Sequence, residues 1–121
     1  MDNLKSKRLR EFPEVITRLP EADMPIKGVK AWILQGERHQ LVFFEFESSA
    51  QVPEHNHDYA QWGMMIEGKM ELTIDDKTRL IEKGDEYVIP AKAKHYVRFL
   101  SKCRVMDLFS EKTRYRAKSV K

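Results

Sequence analysis

The sequence predicts an all-β domain built as a sandwich or a barrel. From Gly28 onward, short runs rich in β-branched and aromatic residues are bounded by turn residues about every eight to twelve positions, as is typical of such folds. No stretch outside the first 28 residues and the C-terminal end keeps a helical apolar period. A length of 121 residues suits one domain whose core needs no covalent staples.

The composition divides the chain into three parts. Residues 1–28 hold three prolines and Gly28, which break any long periodic element, so we expect an irregular arm packed on the domain. Residues 29–110 carry the strand pattern and are expected to form the barrel. Residues 111–121 are basic and are interpreted as a C-terminal tail. No second domain, internal repeat or low-complexity segment is visible.

The first half of the barrel region contains two apolar runs and a polar stretch. Val29–Gln35 is predicted as a strand, and a turn over 36–38 leads into a second strand, Gln40–Glu47. Both faces of this second strand are apolar, so both are expected to be covered. The following stretch, Ser48–Tyr59, is polar and is predicted as a loop.

The second half contains shorter strands separated by clear turn signals. Gln61–Glu67 is predicted to bend at Gly68 into Lys69–Ile74, whose apolar and polar residues alternate as in a half-buried strand. Asp75 and Asp76 then predict a tight hairpin turn. The remaining predicted strands are Thr78–Glu82, a short run from Gly84–Asp85 to Ile89–Pro90, His95–Leu100 and Cys103–Phe109.

The net charge of +3 does not indicate a specific nucleic-acid partner, because of where the charge lies. Residues 1–10 sum to +3 and residues 111–121 to +4, which leaves −4 for the 100 residues between them. Basic ends bind phosphate weakly and without sequence preference. We interpret them as solvated ends that favour solubility.

The expected location is the cytoplasm. Cys103 is the single cysteine, which excludes an intrachain disulfide framework and fits a reducing compartment. No apolar run approaches the roughly 20 residues that span a bilayer, and the N-terminus lacks the apolar core of a signal peptide. We therefore expect a soluble protein with no membrane partner.

Three histidines and one glutamine are spaced so that they can converge. His55 and His57 form a His-x-His pair, Gln61 follows four residues later at the start of a strand, and His95 opens a later strand. In an extended chain, residues two apart point to the same face, so both imidazoles of the pair can reach one ion. The pair alone is explained as readily by two solvated loop histidines. The fourth histidine, His39, lies beside a turn and is interpreted as solvated or hairpin-capping.

Residues 55–99 resemble the cupin superfamily. The first cupin motif is matched by His55, His57 and Gly68, with Gln61 in the place of its glutamate, and the second by Gly84, Pro90 and His95. The resemblance implies a small jelly-roll barrel, also called a double-stranded β-helix, with an irregular N-terminal arm. It also implies that His55, His57, Gln61 and His95 bind one divalent transition metal.

The departures from the cupin motifs bear on the chemistry. Lys92 and Phe99 replace a glycine and an asparagine of the second motif, and Ser49 stands where a glycine precedes the first. Gln61 stands where the superfamily has a glutamate. Three imidazoles and an amide are all neutral, so a bound metal keeps its full charge and favours an anionic ligand. Zn, Ni, Fe, Mn and Co all suit such donors, whereas the two-histidine, one-carboxylate pattern of Fe(II) dioxygenases is absent.

The last predicted strand carries a carboxylate on its inward face. A buried Asp107 must be paired, near a metal or exposed at a mouth, and a structural ion pair with an arginine such as Arg98 is as well supported as a catalytic role. The strand also resembles the end of the KdgF-type cupins, which convert unsaturated uronates into linear keto sugars. The match consists of His55, His57, Gln61, His95, Asp107 and Phe109, with Arg114 one residue beyond the family's arginine.

The resemblance implies a metal-assisted ring-opening enzyme, but other functions fit the same fold. In that reading Asp107 moves a proton while Arg114 binds the substrate carboxylate. The alternatives are a ligand-binding or sensory cupin without turnover and a metal-dependent dioxygenase.

An apolar outer face predicts a partner. Trp62, Met64 and Ile66 lie on the strand face opposite Gln61, and the other sheet, the arm or a second copy must cover them. The cupin resemblance favours a homodimer. Three tyrosines, Tyr59, Tyr87 and Tyr96, are expected at a pocket mouth or as structural residues.

Overall fold

The computed structural model describes residues 9–119, in which nine strands and one short helix occur. The basic residues predicted as solvated ends at positions 1–8 and 121 lie outside this range. The elements are α1 (Glu14–Thr17), β1 (Val29–Gln35), β2 (Gln40–Phe46), β3 (Val52–His55), β4 (Gln61–Glu67), β5 (Met70–Ile74), β6 (Lys77–Ile81), β7 (Glu86–Ile89), β8 (His95–Phe99) and β9 (Cys103–Phe109).

The strands form two antiparallel sheets that pack face to face. One sheet has the order β1-β2-β9-β4-β7 and the other has the order β3-β8-β5-β6. Each sheet therefore takes strands from both halves of the chain, which confirms the all-β jelly-roll fold predicted from the sequence. In residues 9–119, no helix is long and apolar enough to cross a membrane.

The core lies between the sheets and follows from strand alternation. On β2 the inward side chains Val42, Phe44 and Phe46 are buried, while the residues between them are half-buried on the outer face. The Phe46 ring stacks on Phe99 of the opposite sheet, with 4.4 Å between ring centroids. Burying a side chain of this size stabilises the fold by roughly 1.5–3 kcal/mol.

One strand was not predicted. The stretch Ser48–Tyr59, predicted as a loop, contains β3, a strand at the edge of its sheet. Its Val-Pro-Glu-His sequence shows no apolar alternation and includes Pro53, which is tolerated because an edge strand leaves one side unpaired. The consequence is functional, since β3 pairs with β8 and sets His55 directly opposite His95.

The described part of the N-terminal arm packs on the outer face of the five-stranded sheet. Phe12 is buried there, edge-on to Trp32 and Phe43, with ring centroids 5.9 and 5.8 Å away. The Arg104 guanidinium lies 5.1 Å from the Phe12 ring centroid, within cation-π range. The arm thus covers one end of this face.

The C-terminal tail is tied back onto the arm. The Asp23 amide donates to the Arg116 carbonyl at 2.7 Å, and the Lys118 amide donates to the Glu21 carbonyl at 2.8 Å. Glu21 in turn bridges to Trp32 of β1. Arm and tail therefore extend the edge of the five-stranded sheet, and the tail is held beside the barrel mouth.

Candidate metal centre

The three predicted histidines lie together at one end of the barrel. His55 ends β3, His95 begins β8 opposite it, and His57 follows β3 by two residues. One ligand nitrogen from each lies within 4.8 Å of the others. His57 and His95 are buried and His55 is half-buried. The fourth histidine, His39, is exposed at a turn, as expected, and is not part of this cluster.

Each imidazole in the cluster is oriented by the backbone. The Nδ1 atoms lie at hydrogen-bond distance from three carbonyl oxygens: His55 from Pro53 at 2.9 Å, His57 from Tyr59 at 2.7 Å, and His95 from Ala93 at 3.0 Å. A carbonyl only accepts, so each Nδ1 carries the proton when the ring is neutral, and each Nε2 keeps a free lone pair. Anchoring the second nitrogen in this way is typical of metal-binding histidines.

Gln61 supplies a fourth donor. As the first residue of β4 it points into the barrel, and its Oε1 atom lies 3.1 Å from the Nε2 atom of His57. With the His57 proton on Nδ1, these two atoms both offer lone pairs. Two acceptors that converge at this distance are stabilised by a cation between them. The donor set of three imidazoles and one amide oxygen therefore fits a divalent transition metal.

Burial keeps two of the imidazoles neutral. It lowers the pKa of His95 to about 4 and also lowers the pKa of His55, and the positive charge of Arg114 adds to both effects. A metal binds only the neutral ring, so histidines with a lowered pKa are ready to coordinate without first losing a proton at neutral pH.

Asp107 is buried in the same cavity, on β9. The Tyr87 hydroxyl donates to its Oδ1 atom at 2.6 Å, and the Gln61 side chain is a diagonal neighbour of its carboxylate across β4 and β9. Burial raises the pKa of Asp107 to about 6, although both Tyr87 and Gln61 act to lower it. The alternative ion pair with Arg98 does not form, because Arg98 pairs with Glu71, with 3.4 Å between Nη1 and Oε1.

A glycine makes room for the carboxylate. Gly63 lies on β4 between Asp107 of β9 and Tyr87 of β7, to both of which it is paired. A Cβ atom at this position would overlap the Asp107 carboxylate and the Tyr87 ring. The space that this glycine leaves holds the Tyr87–Asp107 hydrogen bond.

Arg114 reaches the cavity from the tail. Its guanidinium carbon lies 5.8 Å from the Phe109 ring centroid and 5.0 Å from that of Tyr115. Its Nε atom is the one buried side-chain nitrogen or oxygen without a hydrogen-bond partner among residues 9–119. Arg114 thus lines the cavity with a guanidinium whose Nε atom has no hydrogen-bond partner.

The sequence did not reveal how the tail is held. Gln40, fully buried on β2, donates from Nε2 to the Tyr115 carbonyl and accepts at Oε1 from the Tyr115 amide, both at 2.9 Å. The available signal was an amide at the inward parity of a strand that otherwise reads Val42, Phe44 and Phe46. A buried amide needs partners, and here the tail backbone supplies them.

The three tyrosines have different roles. The Tyr59 ring stacks on His57, with 4.4 Å between centroids and 6° between planes. Tyr87 is buried and bonded to Asp107. Tyr96 is exposed and does not line the cavity.

The cavity beside the histidine cluster has a volume of about 380 Å³, with a polar end and an apolar end. His55, Gln61, His95, Asp107 and Arg114 line the polar end. The apolar end is lined by core side chains of both sheets, among them Phe44, Met70, Leu72, Val97, Phe99 and Val105.

A small two-sheet barrel with three imidazoles converging at its mouth is typical of a class of metal-binding β-barrel proteins. Residues 42–109 match the Cupin domain family, and the chain belongs to that family. Cupins commonly bind a metal, and three histidines of this chain cluster. No curated protein matches the chain significantly in sequence.

Solved structures of other cupins show the same fold. KdgF from Halomonas sp. is 24% identical with a TM-score of 0.71, covering 78% of this chain and 90% of that one. An RmlC-like cupin from Shewanella frigidimarina NCIMB 400 is 20% identical with a TM-score of 0.73, covering 89% and 95%. A cupin superfamily protein from Desulfitobacterium hafniense DCB-2 is 17% identical with a TM-score of 0.67, covering 88% and 96%.

Proposed function

We propose that this protein is a metal-dependent isomerase that moves a proton on a small carboxylate substrate, with an unsaturated uronate as the candidate. One observation carries the proposal. A buried carboxyl group, Asp107, shares the cavity with the histidine cluster and has a pKa raised to about 6 by burial. A group with a pKa near neutrality can both give and take a proton, as an isomerase requires.

The proposed metal ligands are His55, His57, Gln61 and His95. Bound there, a divalent metal such as Zn, Ni, Fe, Mn or Co supplies Lewis-acid stabilisation of an oxygen that becomes negative. The absence of a carboxylate from this donor set, within the described residues, favours this chemistry over that of the dioxygenases.

Arg114 is proposed to bind the substrate carboxylate. Its positive charge and its place on the cavity wall support this role. A guanidinium bonded to a carboxylate forms short, charge-assisted hydrogen bonds that fix orientation as well as adding affinity. The substrate would therefore be held at its acidic end, with the reacting carbons toward Asp107.

The proton transfers in ring opening can be carried out by one carboxyl group. In a 4,5-unsaturated uronate, the anomeric hydroxyl loses a proton as the bond between C1 and the ring oxygen breaks, and the ring oxygen gains a proton, which gives an aldehyde and an enol. The enol then loses its hydroxyl proton while C4 gains one, which gives a ketone. No atom is gained or lost overall, so Asp107 can accept a proton in one step and return one in another.

The reaction is tested by following the conjugated-alkene absorbance of unsaturated uronate with the metal-replete protein. We expect the absorbance to fall, and to stop falling when a chelator removes the metal. Constant absorbance with metal-replete protein would reject the uronate. Metal-dependent ligand binding without turnover would instead indicate a ligand-binding cupin.

The metal site is tested separately by elemental analysis of purified variants. His55→Ala and His95→Ala are expected to lose the metal that the wild type retains. The matched control is His39→Ala, because His39 is an exposed histidine outside the cluster. Equal, negligible metal in all four proteins would refute the proposed centre.

We also propose that the protein forms a homodimer through the outer face of its five-stranded sheet. Strand register places one apolar residue from each of the five strands of this sheet in a single row: Leu34, Leu41, Leu108, Trp62 and Val88. Three of these are 37–59% exposed. Light scattering should give a dimer mass for the wild type and a monomer mass for Leu108→Glu; a monomeric wild type would exclude the dimer.

A further inference from the structure

Asp107 and Gln61 are neighbours by strand register. Gln61 and Gly63 of β4 lie opposite Phe109 and Asp107 of β9, so the side chains of 61 and 107 are diagonal neighbours on the inward face. Tyr87 of β7 flanks Gly63 from the other side. Because Gly63 has no side chain, the Tyr87 hydroxyl crosses it and donates to Asp107 Oδ1 at 2.6 Å.

This arrangement decides which way the Gln61 amide faces. An ionised carboxylate only accepts hydrogen bonds, so the contact between Gln61 and Asp107 must be made by the NH₂ group of the amide. The amide oxygen then faces the opposite way, and Oε1 lies 3.1 Å from the Nε2 atom of His57. Reversing the amide would bring its NH₂ group to the imidazole cluster and its oxygen against the carboxylate.

We propose that Asp107 is a positioning residue for the metal centre: held by Tyr87 across Gly63, it orients Gln61 so that the amide oxygen is the fourth ligand. The same contact explains the departure from the cupin glutamate. A glutamate at position 61 would set two carboxylates side by side in a buried site, where like charges repel strongly. This inference rests on the proposed metal site and adds a second role for Asp107.

We expect Asp107→Asn to change the affinity for Co²⁺ in opposite directions, depending on whether residue 61 is glutamine or glutamate. In Asp107→Asn, the new amide accepts from Tyr87 with its oxygen and turns its NH₂ group toward Gln61. Gln61 must then reverse, and we expect Co²⁺ affinity to fall by about 10- to 100-fold, the range found for partners of metal ligands. In a Gln61→Glu background the same introduced NH₂ group donates to a carboxylate, so Asp107→Asn should raise Co²⁺ affinity.

The experiment measures Co²⁺ affinity and the Co²⁺ ligand-field spectrum at pH 8 for the wild type, both single variants and the double variant. The matched control is Glu67→Gln, a carboxylate-to-amide change on β4, the strand of Gln61. Glu67 pairs with Arg104 and does not line the cavity. We expect the control to bind Co²⁺ like the wild type. If Asp107→Asn weakens Co²⁺ binding equally with glutamine and with glutamate at position 61, Asp107 acts only through its charge. If Asp107→Asn has no effect in either background, Asp107 does not orient Gln61. Both results would overturn the proposal.

A second readout needs no metal. In the metal-free proteins, Gln61→Glu should lower the urea midpoint of unfolding more when Asp107 is present than in the Asp107→Asn background, because only the aspartate repels the new carboxylate. Additive shifts would show that the two side chains are not coupled and would also overturn the proposal. Coupling in a wild type that binds no Co²⁺ would refute the proposed metal centre but leave the contact between residues 61 and 107 established.

Discussion

The two ends of the cavity are built in opposite ways. At the apolar end, side chains such as Phe46 and Phe99 pack directly against each other across the two sheets. At the polar end, Asp107 and His95 are buried with pKa values shifted away from the charged form. Burial stabilises the first kind of group and penalises the second. The apolar end therefore maintains the barrel, while the polar end carries the proposed chemistry at a cost in stability.

The largest expected effect is on turnover, at the polar end. Asp107→Asn removes the proposed proton carrier, and we expect the rate of uronate conversion to fall by about 10²- to 10⁴-fold, the usual contribution of a general acid or base. The rate is measured from the alkene absorbance at saturating metal, which separates proton transfer from weakened metal binding. Wild-type rates in this variant would exclude Asp107 from the reaction.

At the apolar end, the expected effect is on stability and not on the metal site. Phe99→Ala removes a buried ring that stacks on Phe46, and should lower the free energy of unfolding by about 3–5 kcal/mol. Denaturant titration measures this loss, and metal content should be unchanged in the folded variant. Leu80→Ala, at an exposed apolar position, is the control and should cost far less. Metal loss in Phe99→Ala would mean that the two ends are not independent.

A pH series should reveal the cost of burying Asp107. Its folded pKa of about 6 lies above the ordinary value of 3.8, so its stabilising contribution is present at low pH and is lost as pH rises through 6. Between pH 4 and pH 7, the metal-free wild type should therefore lose about 2–3 kcal/mol relative to Asp107→Asn, at about 1.4 kcal/mol per pKa unit.

The opposing contribution of His95 largely cancels in that difference. The lowered pKa of His95 reduces stability as pH falls, but His95 is present in both proteins. Urea unfolding of the two proteins in the presence of a chelator gives the comparison. Parallel stability curves would show that burial does not raise the pKa of Asp107.

The smallest effect is expected at the rim of the polar end. Arg114→Ala should weaken binding of a carboxylate ligand by about tenfold, as for the loss of one charge-assisted hydrogen bond, without changing metal content. Calorimetric titration of the metal-replete protein measures this change. Unaltered carboxylate affinity would assign Arg114 to packing against Phe109 and Tyr115 alone.

Local sequence patterns predicted the strands and turns that they specify, but not the contacts between segments distant in the chain. A β-branched and aromatic run predicted β2, alternation predicted β5, and the Asp75–Asp76 turn is present with backbone φ angles of 45° and 69°. β3 was missed because an edge strand of four residues has no periodic signature. Motif spacing indicated the histidines, and the structure brings them together.

The contacts around Asp107 could not be predicted in the same way. Tyr87, Gly63 and Asp107 lie on three strands that become neighbours only through the order of the sheet. No local pattern encodes a hydrogen bond that crosses a glycine. The clamp of Gln40 on Tyr115 depends equally on where the tail returns, which a single sequence does not specify.

The hydrogen bonds that hold the tail to the barrel separate metal binding from ligand preference, two properties that usually change together. The proposed metal ligands belong to the barrel, whereas Arg114 belongs to a segment outside it. The backbone of this segment is hydrogen-bonded to the Gln40 side chain and to the backbone of the arm. Backbone contacts tolerate changes of side chain. The tail could therefore acquire a different residue at position 114, and with it a different ligand preference, while the barrel and its metal centre stay the same.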